Sequence, residues 1–213
     1  MAEQTEGAES PMSARESLDL IDRENRAVSR NLGGGGVALG VMWALLWFAI
    51  FVSFHLAGKG WPGPWFPLWV PMVVLAVAVV GGVAVSIVVG ARSGRGLRGP
   101  SRVSGALYGW SWTLSYFAMV AVNLIVQRQL PEDVIPMLWA GTMMVLAGAL
   151  SLAGGAMFRD IPMYFLGVWL LLAGVGAVLV GPDYQSLVMG FGGLVGFGGR
   201  AVFCLRAHRK VAV

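Results

Sequence analysis

Residues 161–181 read IPMYFLGVWLLLAGVGAVLVG, a run of 21 residues without one charged side chain. At 1.5 Å per residue, a helix of this length crosses the roughly 30 Å hydrocarbon core of a bilayer. Only helices and closed barrels satisfy every backbone hydrogen bond in lipid, and a continuous apolar run favours the helix over the alternating strand. The segment therefore predicts a transmembrane helix.

Five other segments have the same apolar character. Together with the first they predict six spans, at about 36–58, 68–91, 103–127, 134–157, 161–181 and 184–205. The last three connections are too short to hold a soluble domain. We therefore expect an all-α, polytopic membrane protein with a transmembrane domain at 34–206 and short tails at 1–33 and 207–213.

The basic residues predict the orientation of these spans. Thirteen of the 15 Lys and Arg residues fall in the N-terminal tail, in the second and fourth connections and at the C-terminal end from Arg200 onward, and only Lys59 and Arg128 fall on the other side. Short loops rich in Lys and Arg stay in the cytoplasm. Both termini are thus expected in the cytoplasm, and because topology accounts for the positive charge, we expect no binding of nucleic acid.

The N-terminal tail contains a segment with helical character at about 14–32. Ser13 and Glu16 have the spacing of a capping box, which predicts the start of a helix. One stripe then repeats at a heptad period through Ala14, Leu18, Ile21, Asn25, Val28 and Leu32. Two interpretations remain open: an amphipathic helix at the membrane surface, or a paired coil with a partner helix.

The predicted spans lack the side chains that chemistry needs. None of the eleven acids lies inside a span, the two histidines lie near opposite faces, and Cys204 is the only cysteine. Proton-coupled carriers, haem proteins and intramembrane proteases need ionisable or metal-binding residues at membrane depth. We therefore expect no enzyme, no metal site and no cofactor.

The third span is the most polar of the six. Its polar and aromatic side chains recur every three or four residues, so they share one helix face that should point away from lipid. This face lines a solute path or makes hydrogen bonds between helices. Its candidate residues are Tyr108, Trp112, Ser115, Tyr116, Asn123 and Gln127.

Glycines in the last three spans predict close helix packing. Gly141, Gly148 and Gly155 repeat every seven residues, as do Gly167, Gly174 and Gly181, and this is the period of a left-handed crossing. Gly192, Gly196 and Gly199 share a face of the sixth span. In lipid, small residues let helix backbones approach. These faces predict a tight bundle of three helices or a homo-oligomer.

Three charged residues are expected near the inner ends of the last helices. Arg200 extends to the cytoplasmic headgroups, or pairs with Asp160 or with an anionic ligand at an inner mouth. Arg159 and Asp160 form the corner between the fourth and fifth spans, where Asp160 is expected to cap the fifth helix ahead of Pro162.

Three short motifs carry a resemblance: Tyr108-Gly109-Trp110-Ser111-Trp112, Gly167-Val168-Trp169 and Leu187-Val188-Met189-Gly190. They resemble uncharacterised six-span membrane proteins of high-GC Gram-positive bacteria, some labelled transporter-like, over most of residues 14–200. The C-terminal half is also similar to the paired-helix repeats of a bacterial acid-resistance membrane family. The resemblance implies a multi-pass protein of the bacterial plasma membrane and supplies no functional residues.

The sequence favours a transport-associated protein. It would be a small permease-like unit or a transporter subunit for an amphiphilic or apolar solute, acting without covalent chemistry. The alternatives are a scaffold or regulatory subunit and a lipid-binding protein. Besides the lipid bilayer, the expected partner is a second copy or a membrane protein, contacted through residues 14–32 and the glycine faces.

Overall fold

The computed structural model describes residues 13–58, 67, 69–93 and 100–211. These residues form six long helices and one short 3₁₀ turn, Gln127–Gln129. The helices are α1 (Ala14–Gly58), α2 (Trp69–Ser93), α3 (Pro100–Val126), α4 (Ile135–Phe158), α5 (Ile161–Val180) and α6 (Gln185–Val211). Each contains a stretch long and apolar enough to cross a membrane. The all-α, six-span prediction is confirmed.

Helix α1 joins the N-terminal tail to the first span. It continues from Ala14 through the four glycines at 33–36, and its apolar stretch begins at Gly35. At its start the Ser13 N–H donates to Glu16 Oε2 over 2.9 Å, and the Glu16 N–H donates to Ser13 Oγ over 3.2 Å. The bonds that Ser13 donates to the Glu16 carboxylate lower the pKa of Glu16, so they are present at neutral pH and are lost as pH falls through that pKa. The stripe side chains at 17–34 lie outside the described residues.

The helices are arranged so that chain order and spatial order differ. Helix α1 packs on α2 and α6, and α5 lies between α6 and α4. Helix α3 packs mainly on α4, which gives the spatial order α2, α1, α6, α5, α4, α3. We call α2 and α3 the edge helices. Only 11% and 6% of their most apolar stretches are buried, against 28% for α4, α5 and α6.

Helices α4 and α5 pack through their glycines. An added Cβ at Gly148 would lie 2.8 Å from Leu171 Cγ, and one at Gly155 would lie 2.5 Å from the backbone N of Tyr164. In the reverse direction, a Cβ at Gly167 would lie 2.6 Å from the backbone N of Leu152. Gly148 faces Leu171, and Gly155 faces Tyr164. A step of seven residues forward on α4 thus corresponds to a step of seven residues back on α5, as antiparallel helices in constant register require. We call this contact the glycine seam.

The glycines of α6 do not all behave alike. A Cβ at Gly192 would lie 2.9 Å from Ala173 Cβ, and one at Gly196 would lie 2.7 Å from Trp169 Cδ1, so both face α5. Gly199 is exposed, and a Cβ there would meet nothing within 4 Å. Gly199 therefore does not take part in the predicted bundle of three helices among the described residues, and its contact with a second copy stays a prediction. Gly199 lies after the part of α6 that contacts α5, and it is exposed on the surface.

The buried core lies where α4, α5 and α6 meet. Met144, Leu170 and Met189 have no exposed surface, and one residue from each helix contributes to this centre. Side chains from α1 and α3 pack against it from either side: Trp47, Phe51, Trp112 and Tyr116. The edge helix α3 thus reaches the core through aromatic rings.

Candidate functional site

The polar face of α3 is turned toward the protein, as its periodicity predicts. Asn123 is completely buried, and the other five candidate residues are partly buried: Tyr108, Trp112, Ser115, Tyr116 and Gln127. On the opposite face, Trp110 is 63% exposed and Phe117 is 73% exposed. The helix therefore turns Trp110 and Phe117 away from the protein and its buried amide and tyrosine side chains toward α4.

Four of the six candidates donate or accept a hydrogen bond across the contact between α3 and α4. The Tyr108 hydroxyl donates to the Leu150 carbonyl over 2.8 Å, and the Tyr116 hydroxyl donates to the Met143 carbonyl over 3.4 Å. Nearer the other end, Asn123 Nδ2 donates to Thr142 Oγ1 over 2.8 Å. Gln127 Oε1 accepts from Trp139 Nε1, also over 2.8 Å. We call this contact the polar seam.

Aromatic rings fill the space between these hydrogen bonds. Trp112 stacks on Tyr116 with ring centroids 5.9 Å apart and planes 9° from parallel. Tyr108 meets Trp112 and Phe158 edge to face, at centroid distances of 6.2 and 5.4 Å. Such pairs stabilise contacts beyond the area they bury. The seam is therefore a direct contact of side chains along most of α3.

Sequence reasoning missed the partners of this face. Trp139 and Thr142 lie on α4, within a span otherwise assigned to glycine packing. The available signal was that Thr142 is a hydroxyl residue in the otherwise apolar N-terminal half of its span. The Thr142 hydroxyl accepts from Asn123 and also donates to the Leu138 carbonyl over 2.7 Å.

Two buried amide oxygens have no hydrogen-bond partner in the structure. They are Asn123 Oδ1 on α3 and Gln185 Oε1 at the first residue of α6, and both residues are at least 97% buried. Both lie toward the helix ends opposite the 158–161 corner, on the side predicted to be extracellular. An unpaired buried oxygen costs free energy unless water or a ligand donates to it. Among the described residues, Arg200 Nε is the third buried side-chain atom without a hydrogen-bond partner.

At the other end of the bundle, Arg200 pairs with Asp160. Arg200 Nη2 lies 2.8 Å from Asp160 Oδ2, while Asp160 Oδ1 accepts the backbone N–H of Met163 at 3.0 Å. Asp160 therefore caps α5, as predicted, and also binds α6. Three partners were predicted for Arg200: the headgroups, Asp160 or an anionic ligand. In the structure Arg200 forms the ion pair with Asp160. Arg159 ends α4 in the left-handed conformation at φ 54°, with its side chain exposed.

The polar seam is an arrangement of hydrogen bonds and ring contacts between helices. Among the residues that the structure describes, no three His, Cys, Asp or Glu side chains form a group that could hold a metal ion. The hydroxyls of the polar seam donate to backbone carbonyls, which neither activate a nucleophile nor accept its proton.

No protein-family model, curated protein or solved structure matches this chain. The structure shows an all-helical protein with six helices able to span a membrane. The glycine seam joins α4 to α5, and the polar seam joins α3 to α4.

Proposed function

We propose that this protein is a non-catalytic subunit of a membrane complex in the bacterial plasma membrane, with both termini in the cytoplasm. It would bind a partner through the tail portion of α1 and the edge helices. The observation that carries the proposal is the polar seam, because the one polar face in the spans already bonds to α4. A face used in this way supports assembly better than it supports a solute path.

The length of α1 supports a docking role for its tail. The helix has 45 residues, and its apolar stretch occupies only Gly35–Gly58. Residues 14–34 thus extend the helix by about 32 Å beyond that stretch. A heptad stripe containing one Asn, on a helix of this length, suits pairing with one helix of a partner subunit.

Paired substitutions test this docking role. Ile21→Arg places a charge on the stripe, whereas Leu20→Arg places the same charge beside it, and both lie outside the spans. The full-length protein and both variants would be purified from native membranes, and co-purifying proteins identified by mass spectrometry. We expect Ile21→Arg to lose a partner that Leu20→Arg retains, with the same helix content in both.

The candidate partner is then mixed with the purified chain, and binding is measured directly. A dissociation constant that is equal for both variants and for a chain lacking residues 1–32 would contradict the proposal. Circular dichroism checks whether Ile21→Arg loses helix content. If it does, the chain lacking residues 1–32 serves as the second test.

A permease-like unit for an amphiphilic or apolar solute is the second candidate. The buried, unpaired oxygens of Asn123 and Gln185 support it, because a permeating molecule with a donor group would satisfy them. The test is uptake of the amphiphilic dye ethidium into vesicles containing the purified protein. Transport predicts uptake that falls with Asn123→Leu and Tyr116→Phe but not with Ser111→Ala, on the exposed face. The subunit proposal predicts no uptake above protein-free vesicles.

A further inference from the structure

The contacts that hold α3 differ between its two ends. At the end that leads into α4, Asn123 and Gln127 each take part in a hydrogen bond of 2.8 Å to α4. Toward the other end, Tyr108 is the last described side chain that bonds to α4, again over 2.8 Å. Nearer the start of the helix, Val103 and Leu107 are 59% and 63% exposed. Among the described residues, one side chain therefore joins the first third of α3 to the bundle by a hydrogen bond.

Tyr108 occupies a notch between α4 and α5. Its hydroxyl lies where a Cβ at residue 154 would be, so the notch exists because that residue is glycine. The Met163 methyl group of α5 borders the same point, 2.7 Å from that Cβ position. The Phe158 ring meets the Tyr108 ring edge to face, with centroids 5.4 Å apart. We call the contact of Tyr108 with Gly154, Phe158 and Met163 the latch.

The opposite end of α3 has the backbone of a hinge. The α-helix passes after Val126 into the 3₁₀ turn Gln127–Gln129, and Leu130 is extended at φ −108° and ψ 149°. The Leu130 N–H donates to the Gln127 carbonyl over 3.3 Å, which is long for a backbone hydrogen bond. A 3₁₀ turn next to an extended residue absorbs backbone rotation more readily than an α-helix does. We call residues 127–130 the hinge.

A small rotation about the hinge empties the latch. Nineteen residue steps separate Tyr108 from Gln127, which corresponds to about 28 Å of helix. A rotation of about 15° therefore moves Tyr108 by about 7 Å, which breaks its hydrogen bond to the Leu150 carbonyl. The connection at 94–99 has six residues, and because an extended chain spans about 3.4 Å per residue, its length permits a shift of this size.

Behind α3 lies the buried core. Trp112 and Tyr116 pack against the cluster that contains Met144 and Met189. The apolar stretch of α3 is the least buried of the six, at 6%, so these rings supply much of its contact with the core. Trp112 meets Tyr108 edge to face at 6.2 Å, and a rotation that withdraws Tyr108 also moves Trp112. Such a rotation opens the core to the side of the bundle.

From this arrangement we propose that α3 is a hinged lid on the side of the bundle, closed by the latch at Tyr108 and turning about residues 127–130. When the lid opens, it connects the core with the surrounding membrane. Asn123 lies about 6 Å from the hinge, so the same rotation moves it by less than about 2 Å and its bond to Thr142 is kept. The device is independent of the proposed function, because it involves one helix and the core and no partner.

Distances between spin labels test the lid in the full-length chain in lipid nanodiscs. One pair of labels joins Leu107, at the latch end of α3, to Phe165 on α5. The other pair joins Ile125, at the hinge end, to Leu179 on α5, and all four positions are exposed. Each of the four is replaced by cysteine on a Cys204→Ser background, because Cys204 is the only native cysteine. Double electron–electron resonance then measures both distances.

We expect the open population to depend on the latch alone. Tyr108→Ala removes the hydrogen bond and both ring contacts, so the open population should rise at least ten-fold, with the first pair of labels several Å farther apart and the second pair unchanged. Tyr108→Phe keeps the ring and loses the bond, for a rise of about three-fold. Asn123→Leu is the matched control, because it removes a bond of the same length beside the hinge and should leave the first distance unchanged.

Gly154→Ala is the second test, and it replaces Tyr108→Ala if that variant fails to fold. The added methyl group takes the place of the Tyr108 hydroxyl, so the same end of α3 should open. Three outcomes would overturn the proposal. They are a first distance that stays unchanged in both latch variants, equal lengthening of the two distances, which means that α3 leaves as a whole, and opening in Asn123→Leu as large as in Tyr108→Ala.

Discussion

Helix α4 lies between two contacts that join helices by different means. On one side, the glycine seam brings α4 and α5 so close that added Cβ atoms at Gly155 and Gly167 would meet backbone. On the other side, the polar seam keeps α3 at the distance of tyrosine, tryptophan and amide side chains. In lipid neither contact gains from the hydrophobic effect, so one relies on van der Waals packing and the other on hydrogen bonds.

The difference predicts how each contact tolerates change. At Gly155 and Gly167, two of the three atoms that an added Cβ would meet belong to backbone, which cannot move without displacing a helix. At the polar seam each hydrogen bond has at least one partner on a side chain that can rotate. The glycine seam should therefore be stiff and sensitive to added volume, whereas the polar seam should adapt.

The largest expected effect is that of Gly167→Val. A Cβ there lies 2.6 Å from Leu152 N and 2.7 Å from the Gly148 carbonyl, so we expect a loss of about 3 kcal/mol in the free energy of unfolding. Unfolding in mixed micelles of sodium dodecyl sulfate measures it. The matched control is Gly109→Val on α3, where a Cβ meets nothing within 4 Å. Equal losses in both variants would remove the distinction between the seams.

Asp160→Ala should have the next largest effect, because it acts at the end of the glycine seam where α4 turns into α5. It removes the cap of α5 and the partner of Arg200, for a combined loss of about 2 kcal/mol. Arg200→Met removes the ion pair and leaves the cap, so it should cost less. The same unfolding assay measures both, and an Arg200→Met variant as unstable as Asp160→Ala would show that the cap contributes nothing.

Gly154→Ala tests the point where the two seams come closest on α4. A Cβ at Gly154 would overlap the Tyr108 hydroxyl of α3, but that ring is a side chain and can shift. We expect a loss of about 1 kcal/mol. Most of it should disappear when Tyr108→Leu is already present, and a double-mutant cycle measures this coupling. Additive losses would mean that the ring does not limit residue 154.

The smallest effects are expected from removing single hydrogen bonds of the polar seam. Tyr108→Phe loses the bond to the Leu150 carbonyl, at about 0.6 kcal/mol. Asn123→Leu should cost less still, because it removes an unpaired buried oxygen together with the bond to Thr142. Differential scanning calorimetry of the two variants checks the order. A loss at Asn123→Leu as large as that at Gly167→Val would indicate that the polar seam, and not the glycine seam, is the stiff one.

Several features of the fold were predictable because they depend on local sequence. Each span is recognised from the summed transfer free energy of about twenty consecutive residues, which requires no knowledge of the other helices. The inward direction of Asn123 and Gln127 follows from helical periodicity alone. The capping box at Ser13 and the cap at Asp160 are local as well, since each joins residues three positions apart.

The partners of these faces were not predictable, because they depend on helices distant in sequence. Periodicity places Gly192, Gly196 and Gly199 on one face, but only the crossing of α6 with α5 decides that the first two pack and the third is open. The same holds for Arg200, whose ion pair needs a carboxylate 40 residues earlier in the chain.

The sequence by itself determined that this chain is helical, that six segments are long and apolar enough to span a membrane, and which face of the third helix avoids lipid. The tertiary structure alone decided the order α2, α1, α6, α5, α4, α3 and the pairing of the polar face of α3 with α4. The physical reason is that burial in lipid is an additive property of each segment. The choice of neighbour, in contrast, depends on the fit between two surfaces, and that fit exists only once both helices are in place.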